Sequence, residues 1–213
     1  MLELGVKVLL AYLLGSLNGG LVLGKLLGGP DIRTVGSGSA GGTNALRARG
    51  KWFALGVMVI DVGKGYVGVA LLPGLDPGWG GPGIDASWLP ICCAAAAIAG
   101  HCYPVWFGFA GGKGAATAIG TLGALAPALL VPGLVAWLLV ATTTGFVGLS
   151  TMVAAVVLPV FLLLTGPPGS PGLLLFLVLL AAFIIYTHRS NILRMLQRRE
   201  NRMAGLMLLR RQR

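Results

Sequence analysis

The chain has 213 residues, of which 56% are hydrophobic, 10% are charged and 35 are glycine. An average soluble domain carries roughly 25% charge, so this chain has too few charged groups to cover a globular surface in water, and its hydrophobic fraction excludes intrinsic disorder. The glycines show no three-residue period, which excludes collagen; the remaining class is an all-α polytopic membrane bundle.

A first apolar segment spans about residues 4–27 and opens beside Glu3 and Lys7. It has no small-residue cleavage site, so it reads as a retained helix rather than a cleaved signal. Residues 28–51 form a loop rich in Gly, Ser, Thr and Arg. A second apolar segment covers about 52–72, with Asp61 and Lys64 inside it. Residues 73–87 form a Gly- and Pro-rich loop with two aspartates and no Lys or Arg. A third segment spans about 88–100, and residues 101–114 form a second polar, glycine-rich loop. Residues 114–187 then run for 74 positions without one Asp, Glu, Lys or Arg. A crossing needs roughly 20 residues, ~17 at the short end. Strands of a membrane barrel alternate apolar and polar positions, whereas this block is apolar on every face. It divides at Pro127, Pro132, residues 142–145 and residues 166–172.

Sixteen Lys and Arg against six Asp and Glu give a net charge of +10. A basic surplus can signal nucleic acid; in a membrane chain it reads as positive-inside bias, and no nucleic-acid partner is expected. Lys25, Arg33, Arg47, Arg49 and Lys51 flank the first loop, the tail from 188 to 213 holds eight arginines, and loop 73–87 is acidic. This pattern predicts the first loop and the C-terminus in the cytoplasm, with loop 73–87 and the N-terminus outside. Lys113 and the tail then share a side, so the block between them crosses an even number of times. Four crossings fit, at about 115–130, 131–144, 145–164 and 173–186. The expectation is about seven transmembrane helices in a single integral membrane domain over 1–213, with a basic cytoplasmic tail over 188–213. Cys92, Cys93 and Cys102 form no CxxC pair, so neither zinc nor a disulfide framework is indicated. No internal repeat marks an inverted-repeat transporter.

Three polar clusters fall on one predicted membrane face. The first is Gly36-Ser37-Gly38-Ser39-Ala40-Gly41-Gly42-Thr43-Asn44, followed by Arg47. Glycines let successive backbone N–H groups converge on an anion, and Ser37, Thr43 and Asn44 add neutral donors. Arg47 offers a planar fork suited to phosphate oxygens. A helix starting near Thr43 would add its N-terminus. The bland alternative is a flexible linker. The second cluster is Gly100-His101, then Gly111-Gly112-Lys113-Gly114 and Thr117. It lacks the P-loop spacing, so a nucleoside triphosphate is not indicated. Lys113 is the only cation between Lys64 and Arg189; its bland reading is a snorkelling anchor. The third cluster is His188, Asn191, Arg194, Glu200 and Arg202. If the last helix continues, His188, Asn191 and Arg194 share a face. A basic anchor on anionic lipid explains residues 198–213 but not His188 and Asn191. Asp61 and Lys64 are i, i+3 inside an apolar segment, where an ionisable side chain is a functional candidate; pairing would lower their cost.

These clusters resemble the signature motifs of bacterial membrane glycerol-3-phosphate acyltransferases that use acyl-phosphate as donor. The family patterns read GSGNxGATNxxR, GHxFPVFxxFxGGKGxAT and HRxNIxRxxxGxExK, and residues 36–47, 100–117 and 188–202 fill them. Ser37, Thr43, Asn44, Arg47, His101, Lys113, His188, Asn191 and Glu200 match, while Ser39, Ala40, Gly42, Tyr103 and Arg198 depart.

The resemblance implies transfer of a fatty acyl group from acyl-phosphate to the sn-1 hydroxyl of glycerol 3-phosphate, giving lysophosphatidic acid and phosphate. It implies Ser37, Arg47, Lys113, His101, His188 and Asn191 in the catalytic machinery. Gly36, Gly38, Gly41, Thr43, Asn44, Gly111, Gly112, Gly114, Thr117 and Glu200 would bind substrate phosphate. No metal and no cofactor are expected. Membrane lipid and a functional link to the soluble enzyme that makes acyl-phosphate complete the partners, at the cytoplasmic face of a bacterial inner membrane. Another glycerolipid acyltransferase family uses a His-xxxx-Asp dyad. Here the fifth residue after His101 is Trp106 and the fifth after His188 is Leu193, so spacing offers no such dyad. Either histidine acts alone, or a substrate phosphate with a second pKa of about 6 takes the proton; the phosphate is the preferred base. The alternative reading is a transporter of a small phosphorylated anion, which cations gathered at one face disfavour.

Overall fold

The structure, a computed structural model, describes residues 1–76, 78, 80–165 and 171–207. Among these residues it is all-helical, as expected. It divides into two compact units, Met1–Ala126 and Pro127–Arg213. Part of the predicted break at 166–172 and the last six residues of the basic tail lie outside the described residues.

The first unit contains α1 (Leu2–Gly15), α2 (Gly19–Leu26), α3 (Gly42–Ala70), α4 (Trp88–Cys102) and α5 (Ala115–Leu125). The single first helix predicted over 4–27 is broken, and α1 and α2 meet at 53°. The cause is local. Asn18 is extended, and its side-chain oxygen accepts from the Leu21 N–H at 3.4 Å, capping a new helix instead of continuing the old one. α3 begins ten residues before its apolar stretch, with a kink at Gly50, where φ is +83°. Only glycine adopts that angle at little cost. Glu3 and Lys7 are buried one turn apart and pair at 2.5 Å, and Lys7 also donates to the Pro73 carbonyl at 2.9 Å. The pairing explains how an otherwise apolar helix tolerates two charges.

Glycines set the helix spacing. A Cβ on Gly15 would collide with the Ala97 backbone, and one on Gly100 with the Tyr12 carbonyl, so α1 and α4 touch main chain to main chain. α3 and α5 meet in the same way. A Cβ on Gly65 would strike the Thr117 carbonyl, and one on Gly120 the Val62 carbonyl. Such contact is the usual basis of helix association in lipid, where hydrophobic burial gives no drive.

The second unit contains α6 (Leu130–Thr144), α7 (Val147–Thr165), α8 (Pro171–Thr187) and α9 (Arg189–Leu196). Gly145, at φ +74°, ends α6, and Trp137 Nε1 donates to Thr151 Oγ1 at 3.2 Å between α6 and α7. The last helix does not continue through the third cluster. It bends by 53° between α8 and α9, and the chain after α9 returns to bond Met203 N–H to the Gly145 carbonyl at 2.8 Å.

Large apolar side chains remain on the outside of both units; Leu9, Val59, Leu139, Leu163 and Leu179 are each at least half exposed. That surface suits hydrocarbon, where backbone groups must be satisfied within each helix. By length and composition, four stretches can cross a membrane: Gly42–Gly74, Trp88–Phe107, Pro127–Thr144 and Val147–Thr165. The number rises to six if the two bent pairs, α1 with α2 and α8 with α9, each count as one span. All seven predicted apolar segments are helical, but α5 has 11 residues. It is therefore about 16 Å long, short of a hydrocarbon core of roughly 30 Å.

Gly120→Ala should lower the thermal unfolding midpoint of the detergent-solubilised protein, at a cost of about 1–3 kcal/mol for overpacking. Gly63→Ala, where a Cβ meets nothing within 4 Å, should leave the midpoint unchanged.

Candidate active site

In the first unit, residues 28–41 wrap around one side chain. Asn44, buried in the first turn of α3, donates to the carbonyls of Ile32 at 2.7 Å, Val35 at 3.0 Å and Ser39 at 2.8 Å, and accepts from the Ser37 N–H at 2.8 Å. Its amide is therefore fully engaged by the loop. Asn44 shapes the loop rather than offering a donor to phosphate. Gly36, at φ +62°, lies directly on the Asn44 oxygen, with no room for a Cβ. Gly38, at φ +72°, completes the reversal.

The result is a bare helix start. Gly41 caps α3 with no side-chain hydrogen bond, so no side chain covers the first amides at the positive end of the helix dipole. Thr43 and Ser37 are partly exposed beside it, and Arg47 is exposed one turn on. α5 repeats the arrangement. Gly114, at φ +89°, caps it without a side-chain bond, and Lys113 immediately precedes it. Thr117 does not join this surface. It is buried where α5 meets α3, and its hydroxyl has no partner among the described residues.

The two glycine loops are clamped together. Arg33 forms a fork with Asp31, the closest contact being 2.6 Å, and its Nη1 donates to the carbonyls of Phe107 at 2.9 Å and Ala110 at 2.6 Å. The Arg33 guanidinium holds the Asp31 carboxyl below its ordinary pKa. The pairing is therefore complete above the usual carboxylate range and is lost as pH falls through the lowered value. Gly111 N–H bonds the Cys102 carbonyl at 3.0 Å and Gly112 N–H the His101 carbonyl at 3.1 Å, seating the second loop on the end of α4.

Beneath that loop lies a buried polar cluster. Asp61 Oδ1 accepts from Lys64 Nζ at 2.9 Å and from the Gly19 N–H at 2.9 Å, and lies 3.3 Å from His101 Nδ1. Lys64 Nζ is also 3.0 Å from His101 Nδ1 and 3.2 Å from the Leu17 carbonyl. The other edge of the ring, Nε2, lies against Gly112, where a Cβ would overlap it. A histidine and an aspartate that sequence spacing does not link are thus brought together from two helices, with Lys64 in contact with both.

In the second unit, Glu200 accepts from Asn191 Nδ2 at 2.9 Å and from Arg194 Nε at 2.6 Å. A carboxylate engaged in this way orients Asn191 and Arg194 and would repel phosphate, so Glu200 acts as a brace. Gly148 leaves the space that Asn191 occupies. His188 is buried, with Nδ1 2.8 Å from the Ile184 carbonyl. A carbonyl can only accept, so that contact places a hydrogen on Nδ1.

The first and second sequence clusters are therefore brought together in one unit, and the third is organised within the other. The sequence reading missed two features: the Asp31–Arg33 clamp, whose residues carry no motif, and the contact of Asp61 and Lys64 with His101. Two charges inside an apolar segment were the available signal for the second.

The family described as glycerol-3-phosphate acyltransferase matches residues 6–198. A glycerol-3-phosphate acyltransferase of Aquifex aeolicus (strain VF5) is 39% identical over 195 residues, covering 92% of this chain and 96% of the relative. One of Prochlorococcus marinus (strain MIT 9215) is 38% identical over 192 residues, covering 90% and 93%. The crystal structure of PlsY (YgiH), an integral membrane glycerol 3-phosphate acyltransferase, in its glycerol 3-phosphate form matches with a TM-score of 0.83 at 38% identity, over 95% of this chain and 96% of that chain. The lysophosphatidic acid form matches with a TM-score of 0.81 at 36% identity, over the same shares of the two chains. With its family motifs on a fold of the same kind, the chain belongs to the glycerol-3-phosphate acyltransferase family.

Proposed function

We propose that this acyltransferase moves a fatty acyl group from acyl-phosphate to the sn-1 hydroxyl of glycerol 3-phosphate, releasing lysophosphatidic acid and phosphate. One observation carries the choice of donor. Among the described residues of the first unit, four α-helix starts lack a side-chain cap, and two of these have a cation beside them: α3 with Arg47 and α5 with Lys113. An uncapped helix start is an anion site, and two of them suit a reaction in which donor and acceptor both carry phosphate. The glycerol 3-phosphate and lysophosphatidic acid forms of the solved relative support the acceptor and product.

The chemistry needs little else from the protein. Acyl-phosphate is a mixed anhydride with a good leaving group. The acceptor hydroxyl oxygen attacks the acyl carbonyl carbon, the bond to the phosphate oxygen breaks, and phosphate departs. A phosphate oxygen takes the hydroxyl proton, so no covalent enzyme intermediate forms. The Gly111 and Gly112 amides are held by the end of α4, so the amides at the starts of α3 and α5, with the Ser37 hydroxyl, steady the developing oxyanion, while Arg47 and Lys113 balance phosphate charge. His188 and Asn191 bind substrate, and Glu200 and Asn44 hold their neighbours in place. No metal and no cofactor enter the reaction.

The distribution of Lys and Arg supports a cytoplasmic site in a bacterial inner membrane, with the N-terminus outside and seven crossings. On this reading α5 crosses despite its length, through locally thinned lipid. The soluble enzyme that makes acyl-phosphate is the natural supplier of the donor.

Reconstituted protein should form lysophosphatidic acid from acyl-phosphate and glycerol 3-phosphate without an ion gradient or coenzyme A. Turnover with acyl-coenzyme A but not with acyl-phosphate would overturn the donor, and gradient-driven uptake without product would support a transporter instead. Lys113→Ala should lower kcat/KM at least about 10²-fold, the scale of losing a preorganised electrostatic contact. Asn44→Asp keeps the acceptor for Ser37 but removes the donors to three carbonyls; activity should fall sharply at unchanged helical content by circular dichroism.

A further inference from the structure

The buried group of Asp61, Lys64 and His101 has a donor count that closes. A lysine ammonium has three hydrogens and no lone pair. Three acceptors surround Lys64 Nζ: Asp61 Oδ1 at 2.9 Å, the Leu17 carbonyl at 3.2 Å and His101 Nδ1 at 3.0 Å. His101 Nδ1 has two neighbours, the Lys64 ammonium at 3.0 Å and Asp61 Oδ1 at 3.3 Å; the ammonium is the nearer and has no other third acceptor, so Nδ1 presents its lone pair to it. A hydrogen there would oppose one donor with another. The ring hydrogen therefore sits on Nε2, the edge that lies against Gly112 in the second glycine loop. All three side chains are at most 5% exposed, so water does not compete for these bonds. Two further bonds hold the arrangement: the Gly19 N–H donates to Asp61 Oδ1 at 2.9 Å, and the Asn18 side-chain Nδ2 donates to the His101 carbonyl at 3.4 Å.

We propose that Asp61 and Lys64 are positioning residues that lock His101 as the Nε2–H tautomer, a neutral hydrogen-bond donor facing the Gly111-Gly112-Lys113 loop. His101 then acts as a donor to phosphate or to the oxyanion, because its only basic nitrogen is covered by Lys64. The break between α1 and α2 acquires a purpose, since it supplies the Leu17 carbonyl and the Gly19 N–H that complete the lock. The role in turnover rests on the acyl-transfer reading; the tautomer does not.

The chain has two histidines, so nitrogen-15 NMR of histidine-labelled protein, assigned with a His188→Asn variant, reads the tautomer directly. The expected result is a protonated Nε2 and a bare Nδ1 on His101. A hydrogen on Nδ1 in the unaltered protein would overturn the proposal whether or not the enzyme turns over acyl-phosphate. In Lys64→Met, Asp61 Oδ1 is the remaining neighbour of Nδ1, so the hydrogen should move to Nδ1. With wild-type turnover of acyl-phosphate as reference, kcat of Lys64→Met should fall about 10²-fold, the scale of a misplaced catalytic group, with KM for glycerol 3-phosphate within about twofold. The same substitution in a His101→Gln background should cost nothing further in kcat. Equal losses in both backgrounds would mean that Lys64 does not act through His101, which also overturns the proposal.

Discussion

The close approach of α3 and α5 at Gly65 and Gly120 determines where the polar chemistry of the first unit lies. Each of these glycines faces a backbone carbonyl of the other helix, with no space for a β-carbon. In lipid this contact gains from dispersion and from the absence of side-chain entropy loss, not from water release. It fixes the start of α5, and so Gly114 and Lys113, relative to the helix that carries Asp61, Lys64, Asn44 and Arg47. The α1–α4 contact at Gly15 and Gly100 does the same for His101.

Once the helices are that close, burying charge becomes tolerable. Asp61 and Lys64 neutralise each other, and the main chain freed at the α1–α2 break takes a Lys64 hydrogen at the Leu17 carbonyl and donates the Gly19 N–H to Asp61. The same logic applies at the other end of α1, where Glu3 and Lys7 pair and the Pro73 carbonyl takes the remaining bond. Above the cluster the chain changes strategy. Side chains such as Asn44 and Arg33 are engaged in shaping loops, and the helix starts remain uncapped. Under the proposed reaction, anion recognition is thereby left to backbone amides, which cannot be misplaced by rotamer changes and which carry the dipole of the helix behind them.

Much of this was legible in the residues. Membrane class followed from the charge-free block, and the apolar segments from their length. The start of α3 near Thr43 was readable because glycine and threonine precede a helical run. Residue roles were less legible. Asn44, Glu200 and Thr117 have the chemistry of phosphate contacts and stand in the motifs, yet Asn44 and Glu200 bond within the protein and Thr117 is buried against α3. A motif marks a position that matters, whereas the direction of its side chain depends on neighbours distant in sequence. Whether the last helix continues through His188 was not legible for a similar reason. Local propensity allowed it, but Glu200 draws Asn191 and Arg194 towards the returning chain, and α9 turns away from α8.

Composition and periodicity alone determined that this protein is helical and membrane-bound, because both properties depend on sums or spacings along the chain. Only the tertiary structure decided which polar groups meet. Asp61 and Lys64 lie 40 and 37 positions from His101, and no spacing rule links them. They come together because glycines let the helices touch, and in a low-dielectric interior each buried donor must find an acceptor.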